Sequence, residues 1–175
     1  SYFKDKVIIL TGASSGIGLA SAELFGRLGA RLVLAARRAS LLEEIAARIR
    51  QESAAEVLCV PTDVTVEEQC RNLVEKTLEH YGRIDILVNN AGVMDNNLPV
   101  HELDDDTWQR IMNVNLNGPM YACRKAVQQM LSRQSGNIIN VASVGGLGGC
   151  RAGTAYTSSK FALVGMTKNI GYMYA

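Results

Sequence analysis

The chain has 175 residues, of which 47% are hydrophobic and 20% are charged, and its formal net charge is +1. These values are ordinary for one globular domain, and the small net charge gives no reason to expect a nucleic acid as partner. No apolar run reaches the roughly 18 residues that a membrane-spanning helix needs, so we expect no membrane partner either.

Five short runs predict β-strands. Most of them are continuously apolar, which is typical of strands buried on both faces, as in a parallel sheet. The runs are KVIIL (6–10), RLVLAA (31–36), EVLCV (56–60), DILVNN (85–90) and NIINVAS (137–143).

Amphipathic helices are predicted between these strands. One apolar stripe lies within 17–28 and another within 66–81, and Gly29 and Gly82 follow them as C-terminal stops. Three aspartates at 104–106 start a further helix, because a helix N-terminus favours negative charge. The first stripe is Ile17, Ala20, Leu24 and Leu28; the second is Val66, Cys70, Leu73, Thr77 and Tyr81, widened by Val74 and Leu78.

This alternation of strands and helices predicts a doubly wound α/β fold with three layers, in which helices cover both faces of a parallel sheet. We expect residues 1–175 to form a single Rossmann-type dinucleotide-binding domain. The last segment, FALVGMTKNIGYMYA, is predicted as a helix still running at Ala175. We therefore expect a chain that is truncated at its C-terminus or given only in part.

The cysteines and histidines do not form a metal-binding or disulfide pattern. No C-x-x-C pair occurs, and His80 and His101 lie far apart in the sequence. We predict reduced thiols in a cytoplasmic protein and no metal site. The four cysteines are Cys59, Cys70, Cys123 and Cys150.

The stretch KVIILTGASSGIGLA predicts a strand, a glycine-rich turn and a helix. Gly12 permits a tight exit from the strand, while Gly16 and Gly18 let a cofactor approach the backbone, with its pyrophosphate at the helix N-terminus. The spacing is T-G-x-x-x-G-x-G and differs from the G-x-G-x-x-G of most Rossmann dehydrogenases. The alternative is a glycine turn that only connects the strand to the helix.

The end of the second strand indicates which dinucleotide binds. NAD-binding proteins place an acidic residue there, but Ala36 occupies this position and Arg37 and Arg38 follow it. Guanidinium groups bind phosphate in a bidentate manner, so the pair favours the 2′-phosphate of NADP(H) over NAD(H), with Arg37 the stronger candidate. The alternative is a solvated pair of surface arginines.

Five motifs, in order, resemble those of the short-chain dehydrogenase/reductase family, and the resemblance covers residues 6 to about 170. Within the family the sequence is most similar to 3-oxoacyl-ACP reductases. The motifs are TGASSGIG (11–18), DV (63–64), NNAG (89–92), NVNLNG (113–118) and the set formed by Ser143, Tyr156 and Lys160. This chain differs from the family at the C-terminus, where family members continue with further strands and a loop over the substrate.

The resemblance implies the sheet order 3-2-1-4-5 and a cofactor crevice between the first and fourth strands. Asp63 and Val64 would lie beside the adenine ring, although Asp63 could instead cap the helix that begins near Val66. The residues implied to bind the cofactor are Gly12, Ser14, Ser15, Gly16, Ile17, Gly18, Arg37, Arg38, Asp63, Val64, Asn90, Ala91, Gly92, Tyr156 and Lys160.

Tyr156 and Lys160 have the spacing of neighbours on one helix face. Hydride transfer to a carbonyl carbon needs a proton donor for the oxygen. A free phenol is a poor base at neutral pH, and a nearby ammonium stabilises phenolate. Taken alone, the Y-x-x-x-K spacing occurs in many helices by chance, but the step of 13 positions from Ser143 to Tyr156 is usual in the family, which implies that the pair is catalytic.

Ser143 and Asn115 complete the implied catalytic set. A hydroxyl at the end of the fifth strand can hold the substrate oxygen, and the alternative is an ordinary serine at a strand end. The resemblance implies that Asn115 holds a water linking Lys160 to solvent, whereas Asn113 and Asn117, which flank it, are interpreted as helix-surface polarity. Residues 117–119 are predicted to interrupt this helix.

We therefore predict an NADP(H)-dependent oxidoreductase that interconverts a ketone and a secondary alcohol. The rivals are an NAD-dependent alcohol dehydrogenase of the same family and a non-catalytic protein that binds a nucleotide or a partner. The resemblance also implies a homodimer or homotetramer, packed through helices near 104–133 and 154–175. No role is assigned to His101, Trp108 or Cys150; Trp108 is predicted to be a core residue.

Overall fold

The computed structural model describes all 175 residues and contains five parallel strands in the order β3-β2-β1-β4-β5, as predicted. β1 and β4 are neighbours at the point where the crossovers change direction, and Ile8 is aligned with Ile86. The strands are β1 (Val7–Thr11), β2 (Arg31–Ala36), β3 (Val57–Pro61), β4 (Ile86–Asn89) and β5 (Asn137–Asn140).

Helices cover both faces of this sheet. Short 3-10 helices occur at Val100–Glu102 and Val144–Gly146, and a π-helix occupies Asn113–Asn117. The α-helices are α1 (Gly16–Arg27), α2 (Ala39–Ser53), α3 (Glu67–Tyr81), α4 (Asp105–Met112), α5 (Gly118–Arg133) and α6 (Thr154–Tyr174). No helix is both long enough and apolar enough to cross a bilayer.

Two hydrophobic cores result from the alternation of side chains along the central strand. Ile8 and Leu10 of β1 face the core beneath α1 and α2. Val7 and Ile9 face the opposite core, which α3 and α5 cover. β1 is buried along its whole length, as the apolar run predicts, whereas β5 at the sheet edge is half exposed.

The second helix stripe is confirmed except for Val66, which is 40% exposed, but the first is wrong. In α3 the buried side chains are Cys70, Leu73, Val74 and Thr77. In α1 they are Gly18, Ala22 and Gly26, while Ile17 is 68% exposed. Small residues let α1 lie close to the sheet and to α2, so the face of α1 that packs is the one with the smallest side chains.

Two further predictions about helices need correction. Trp108 is 38% exposed rather than core; it lies in the middle of the eight-residue α4, whose one buried residue is Ile111. The chain is not interrupted at 117–119; it stays helical through the π-helix, and Pro119 fits the first turn of α5. The predicted start at the aspartates is confirmed, with Asp104 accepting from the Thr107 amide.

Candidate active site

The glycine-rich loop after β1 and the NNAG turn after β4 are joined by hydrogen bonds. The Thr11 hydroxyl oxygen accepts from the backbone amides of Asn90 and Ala91, each at 3.1 Å. The Asn90 side chain donates to the carbonyls of Thr11 and Gly12 at 3.1 and 3.2 Å. The two turns therefore form one rigid rim at the carboxyl ends of β1 and β4.

Glycine is required where α1 meets this rim. Gly12 has a φ of +64°, and a Cβ there would lie 2.8 Å from the Ala91 Cα. A Cβ on Gly18 would overlap the Gly12 carbonyl oxygen and the Asn90 amide. The first turn of α1 consequently lies directly against the NNAG turn. The absence of side chains at Gly12 and Gly18 makes this contact possible.

The N-terminus of α1 is open to an anion. Ser15 precedes the helix in an extended conformation, and its side chain makes no capping hydrogen bond. Apart from the adjacent residues and the backbone of α1 itself, no atom lies within 4 Å of where a Cβ on Gly16 would be. Ser14 is half buried, and Ser15 and Ile17 are exposed. Free first-turn amides and the helix dipole suit a diphosphate, so these residues fit the pyrophosphate of a dinucleotide.

Arg37 and Arg38 lie between β2 and α2, are exposed and form no salt bridge. Arg37 is close enough to Asp63 to influence it: the Thr65 hydroxyl is the main cause that lowers the pKa of Asp63, and the Arg37 charge adds to the effect.

The carboxylate of Asp63 does not cap α3. It accepts from the amide and hydroxyl of Thr65, and Val66 occupies the N-cap position of α3 without a side-chain capping hydrogen bond. Val64 is half buried and lies against Gly118 at the start of α5.

Lys160 is the buried cation of the site. It is only 4% exposed, and its Nζ donates to the Val141 carbonyl at 2.8 Å. The Nζ lies 5.6 Å from the centroid of the Tyr156 ring. Burial lowers the pKa of Lys160 below its ordinary value. The structure thus brings an ammonium with little solvation beside a phenol ring, one turn apart on α6.

Ser143 and Tyr156 flank Gly145. A Cβ on Gly145 would lie 3.4 Å from the Ser143 Oγ and 3.5 Å from the Tyr156 Cε1. Ser143 follows β5 and begins the 3-10 helix, where its Oγ accepts from the Gly145 amide at 3.0 Å. This local bond leaves the hydroxyl proton free to donate to another group.

Asn115 is fully buried, whereas Asn113 and Asn117, which flank it, are half buried. Its Oδ1 accepts from the Val93 amide at 2.8 Å, and its Nδ2 donates to the Val93 carbonyl at 3.0 Å and to the Ser159 Oγ at 3.1 Å. It lies in the π-helix, and such segments occur frequently at functional sites. A Cβ on Gly92 would lie 3.6 Å from both the Asn115 Oδ1 and the Lys160 Nζ, so these groups border one space.

Sequence reasoning missed two buried residues that hydrogen-bond the backbone of Tyr156. Ser159 donates from its Oγ to the Tyr156 carbonyl at 2.7 Å. Asp95 accepts from the Tyr156 amide at 2.8 Å. Ser159 could have been noticed from its place beside Lys160, but Asp95 is one aspartate in a polar loop and carries no pattern of its own.

The other polar candidates stay outside this site. His101 lies in the first 3-10 helix and pairs with Glu102. All four cysteines are free, and Cys150 is exposed. No three His, Cys, Asp or Glu side chains come together as a metal-binding group.

The sequence profile described as short chain dehydrogenase matches residues 6–175. The chain belongs to this family. Its members use a nicotinamide dinucleotide, NAD(H) or NADP(H). One relative, from Eggerthella lenta, is named 3beta-hydroxysteroid dehydrogenase 2; it is 45% identical over 171 residues, which cover 95% of this chain and 64% of the relative.

Two solved structures of the family show the same fold. The NAD+-bound xylitol dehydrogenase has a TM-score of 0.94 and 30% identity, and the match covers 99% of this chain and 66% of that one. The alcohol dehydrogenase from the archaeon Thermococcus sibiricus, complexed with 5-hydroxy-NADP, has a TM-score of 0.92 and 29% identity over 98% of this chain and 72% of that one. The chain thus spans about two thirds of the length of these proteins.

Proposed function

We propose that this protein is an NADP(H)-dependent oxidoreductase that interconverts a ketone and a secondary alcohol. The observation that carries the proposal is the buried Lys160 ammonium beside the Tyr156 ring, at the carboxyl edge of a dinucleotide-binding sheet. A lysine that is buried without a carboxylate partner is costly to the fold, and such groups cluster at functional sites.

The residues present fit a nicotinamide dinucleotide, which supplies or accepts the hydride when bound. The open first turn of α1, with Gly12, Ser14, Ser15, Gly16, Ile17 and Gly18, would hold the pyrophosphate. Asn90, Ala91 and Gly92 would border the adenosine and ribose, and Asp63 and Val64 the adenine. Lys160 would also hydrogen-bond the nicotinamide ribose.

The side chains of the proposed set divide the work at the substrate oxygen. Tyr156 donates its phenolic proton during reduction and accepts one during oxidation. Lys160 stabilises the negative charge that the phenol gains, because its ammonium is poorly solvated and close. Ser143 donates its free hydroxyl proton to the substrate oxygen as charge develops there. Asn115 supports the proton path from Lys160 to solvent.

The preference for NADP(H) rests on Arg37 and Arg38, neither of which forms a salt bridge. The NAD+-bound xylitol dehydrogenase shows that this fold also accepts NAD, so an NAD-dependent enzyme is the second candidate. Comparing kcat/KM for NADPH and NADH in wild-type protein and Arg37→Ala separates the two. We expect NADPH to be favoured and the preference to fall in the variant; a wild-type preference for NADH contradicts the proposal.

The proposed substrate class is a ketone, and two narrower classes are candidates. A relative named for a hydroxysteroid favours an apolar cyclic alcohol, while the motif resemblance favours a 3-oxoacyl thioester. We propose to test a 3-ketosteroid, a 3-oxoacyl thioester and a simple cyclic ketone with NADPH. Turnover that is lost in Tyr156→Phe, with NADPH binding retained, supports an enzyme. Binding without turnover of any ketone favours the non-catalytic alternative.

We also propose that residues 1–175 act as one dinucleotide-binding domain, because one continuous sheet carries both cores. Its four unpaired cysteines fit a reducing compartment such as the cytoplasm. Exposed apolar side chains on the last two helices, including Leu131, Phe161 and Tyr172, favour a homodimer or homotetramer. Light scattering after size exclusion should show a dimer or larger species, and a monomer contradicts this part.

A further inference from the structure

The loop that follows the NNAG turn contains a carboxylate with no cationic partner. Asp95 is fully buried, and no lysine, arginine or histidine forms a salt bridge with it. Its oxygens accept only from backbone amides: Oδ1 from Asn97 at 3.1 Å and Gly153 at 3.2 Å, and Oδ2 from Tyr156 at 2.8 Å. A charge removed from water needs such compensation, and here most of it comes from the start of α6.

Asp95 takes the place of a local cap for α6. Gly153, the residue before the helix, has no side chain to satisfy the first-turn amides. Asp95 reaches them from a distant part of the chain, and the negative carboxylate lies at the positive end of the helix dipole. A second link joins the same segments, since the Thr154 amide donates to the Leu98 carbonyl at 3.0 Å.

Asp95 lies so close to the start of α6 that only glycine fits at position 153. A Cβ on Gly153 would lie 2.6 Å from both carboxylate oxygens of Asp95 and 2.5 Å from the Leu98 nitrogen. No side chain fits between the carboxylate and the backbone that it holds. The contact between Asp95 and the start of α6 therefore depends on the absence of a side chain at position 153.

The backbone of Tyr156 is held at both ends of its residue. Asp95 accepts from its amide, and the Ser159 hydroxyl donates to its carbonyl at 2.7 Å. Ser159 also accepts from Asn115, whose side chain is bonded to the Val93 backbone two residues before Asp95. A closed circuit thus runs from the loop at 93–98 through Asn115 and Ser159 to Tyr156 and back through Asp95.

We propose that Asp95 is a positioning residue for Tyr156. This inference rests on the proposed function of Tyr156 as proton donor. Asp95 fixes the first turn of α6 against the loop at 93–98, so the phenol is held in the position that proton transfer requires. Displacement of a reacting group by about 1 Å can reduce a rate about 100-fold.

The test compares Asp95→Asn with Asp104→Asn, which makes the same change at the exposed cap of α4. In Asp95→Asn the side-chain NH2 group replaces one carboxylate oxygen. An NH2 group cannot accept a hydrogen bond, so the backbone amide that faces it loses its acceptor. We expect kcat to fall about 100-fold while the Kd for NADPH is unchanged, because the cofactor loops are untouched. Asp104→Asn should keep the wild-type kcat, since asparagine and aspartate are equally good caps. A normal kcat in Asp95→Asn overturns the inference.

Gly153→Ala disturbs the same contact while leaving the carboxylate in place, so it serves if Asp95→Asn does not fold. We expect a similar loss of kcat without a change in NADPH binding. A loss of thermal stability with normal kcat per folded molecule would show a merely structural role and overturn the inference.

Hydrogen exchange at the Gly153 and Tyr156 amides gives a readout that needs no turnover. Both amides should exchange faster in Asp95→Asn than in wild-type protein or Asp104→Asn. Unchanged exchange overturns the inference whether or not the protein is an enzyme. If the wild-type protein turns over no ketone but exchange increases, the proposed function fails and the anchoring of α6 by Asp95 stands.

Discussion

Replacing Lys160 by methionine removes the buried charge and keeps the length of the side chain. The Nζ lies 5.6 Å from the Tyr156 ring. At an effective dielectric constant of about 20, unit charges at that separation interact by roughly 3 kcal/mol. Loss of this stabilisation when the phenol becomes negative should lower kcat/KM about 100-fold.

The same substitution should not destabilise the fold. Burial lowers the pKa of Lys160, which means that the folded state disfavours its charged form. Between the lowered folded pKa and the ordinary lysine value of about 10.4, the unfolded state binds more protons, so stability rises with pH in that window. Lys160→Met should remove this rise and keep or raise the melting temperature at neutral pH.

The assay is ketone reduction by NADPH at pH 7, with thermal unfolding followed in parallel. Lys168→Met is the matched control, because Lys168 is exposed two turns further along α6. It should keep the wild-type kcat/KM. A Lys160→Met protein with more than a tenth of wild-type kcat/KM would refute the electrostatic reasoning.

Three other substitutions test different parts of the molecule. Arg37→Asp should reverse the cofactor preference, measured as the ratio of kcat/KM for NADPH and NADH, since a lost phosphate contact by a charged group is worth about 1.5–3 kcal/mol; an unchanged ratio contradicts the role of Arg37. Gly18→Ala should abolish NADPH binding in calorimetry, because the added methyl overlaps the Gly12 carbonyl oxygen and displaces the first turn of α1; normal binding contradicts the assignment of the loop. Asp85→Asn should cost about 1.5–3 kcal/mol and lower the melting temperature by roughly 3–12 °C, since it weakens the charge-assisted hydrogen bonds between the buried Asp85 carboxylate and the 40%-exposed Arg83. Burial raises the pKa of Asp85, but hydrogen bonds from Arg83 and the Val7 amide outweigh it and leave the pKa below its ordinary value. The wild-type protein should therefore lose this stability as the pH falls below about 3.9, and the variant should lack that acid-dependent loss in chemical unfolding; equal acid dependence contradicts the argument.

The strands of the sheet were predictable because the signals are local and repeated, whereas their order was implied by the family resemblance. Continuous apolar runs identify the central strands, and the glycine-rich turn after β1 identifies the first crossover. The packing face of α1 was not predictable by the same means. Its apolar residues Ile17 and Leu24 are exposed, and small residues make the contact instead. Hydrophobic periodicity measures apolarity, whereas close packing there is decided by volume.

In the candidate site, too, some residues were predictable from the sequence and others were not. Ser143, Tyr156 and Lys160 lie in motifs with characteristic spacing, and the structure brings them to one edge of the sheet. Asp95 has no such spacing, because its partners are backbone amides 58 and 61 residues away. Main-chain amides are the same for every residue type, so a contact made to them leaves no pattern in the partner's sequence.

The two ends of the sheet use buried charge in opposite ways. At the amino ends of the strands, Asp85 is paired with Arg83 and Arg133 and anchors β1 through the Val7 amide. At the carboxyl ends, Lys160 and Asp95 are buried without pairing to each other or to any other charge. A mutually neutralised pair would remove the field that a developing phenolate needs. Backbone groups instead hold each charge in place without cancelling it, which keeps the ammonium available to the phenol that it adjoins.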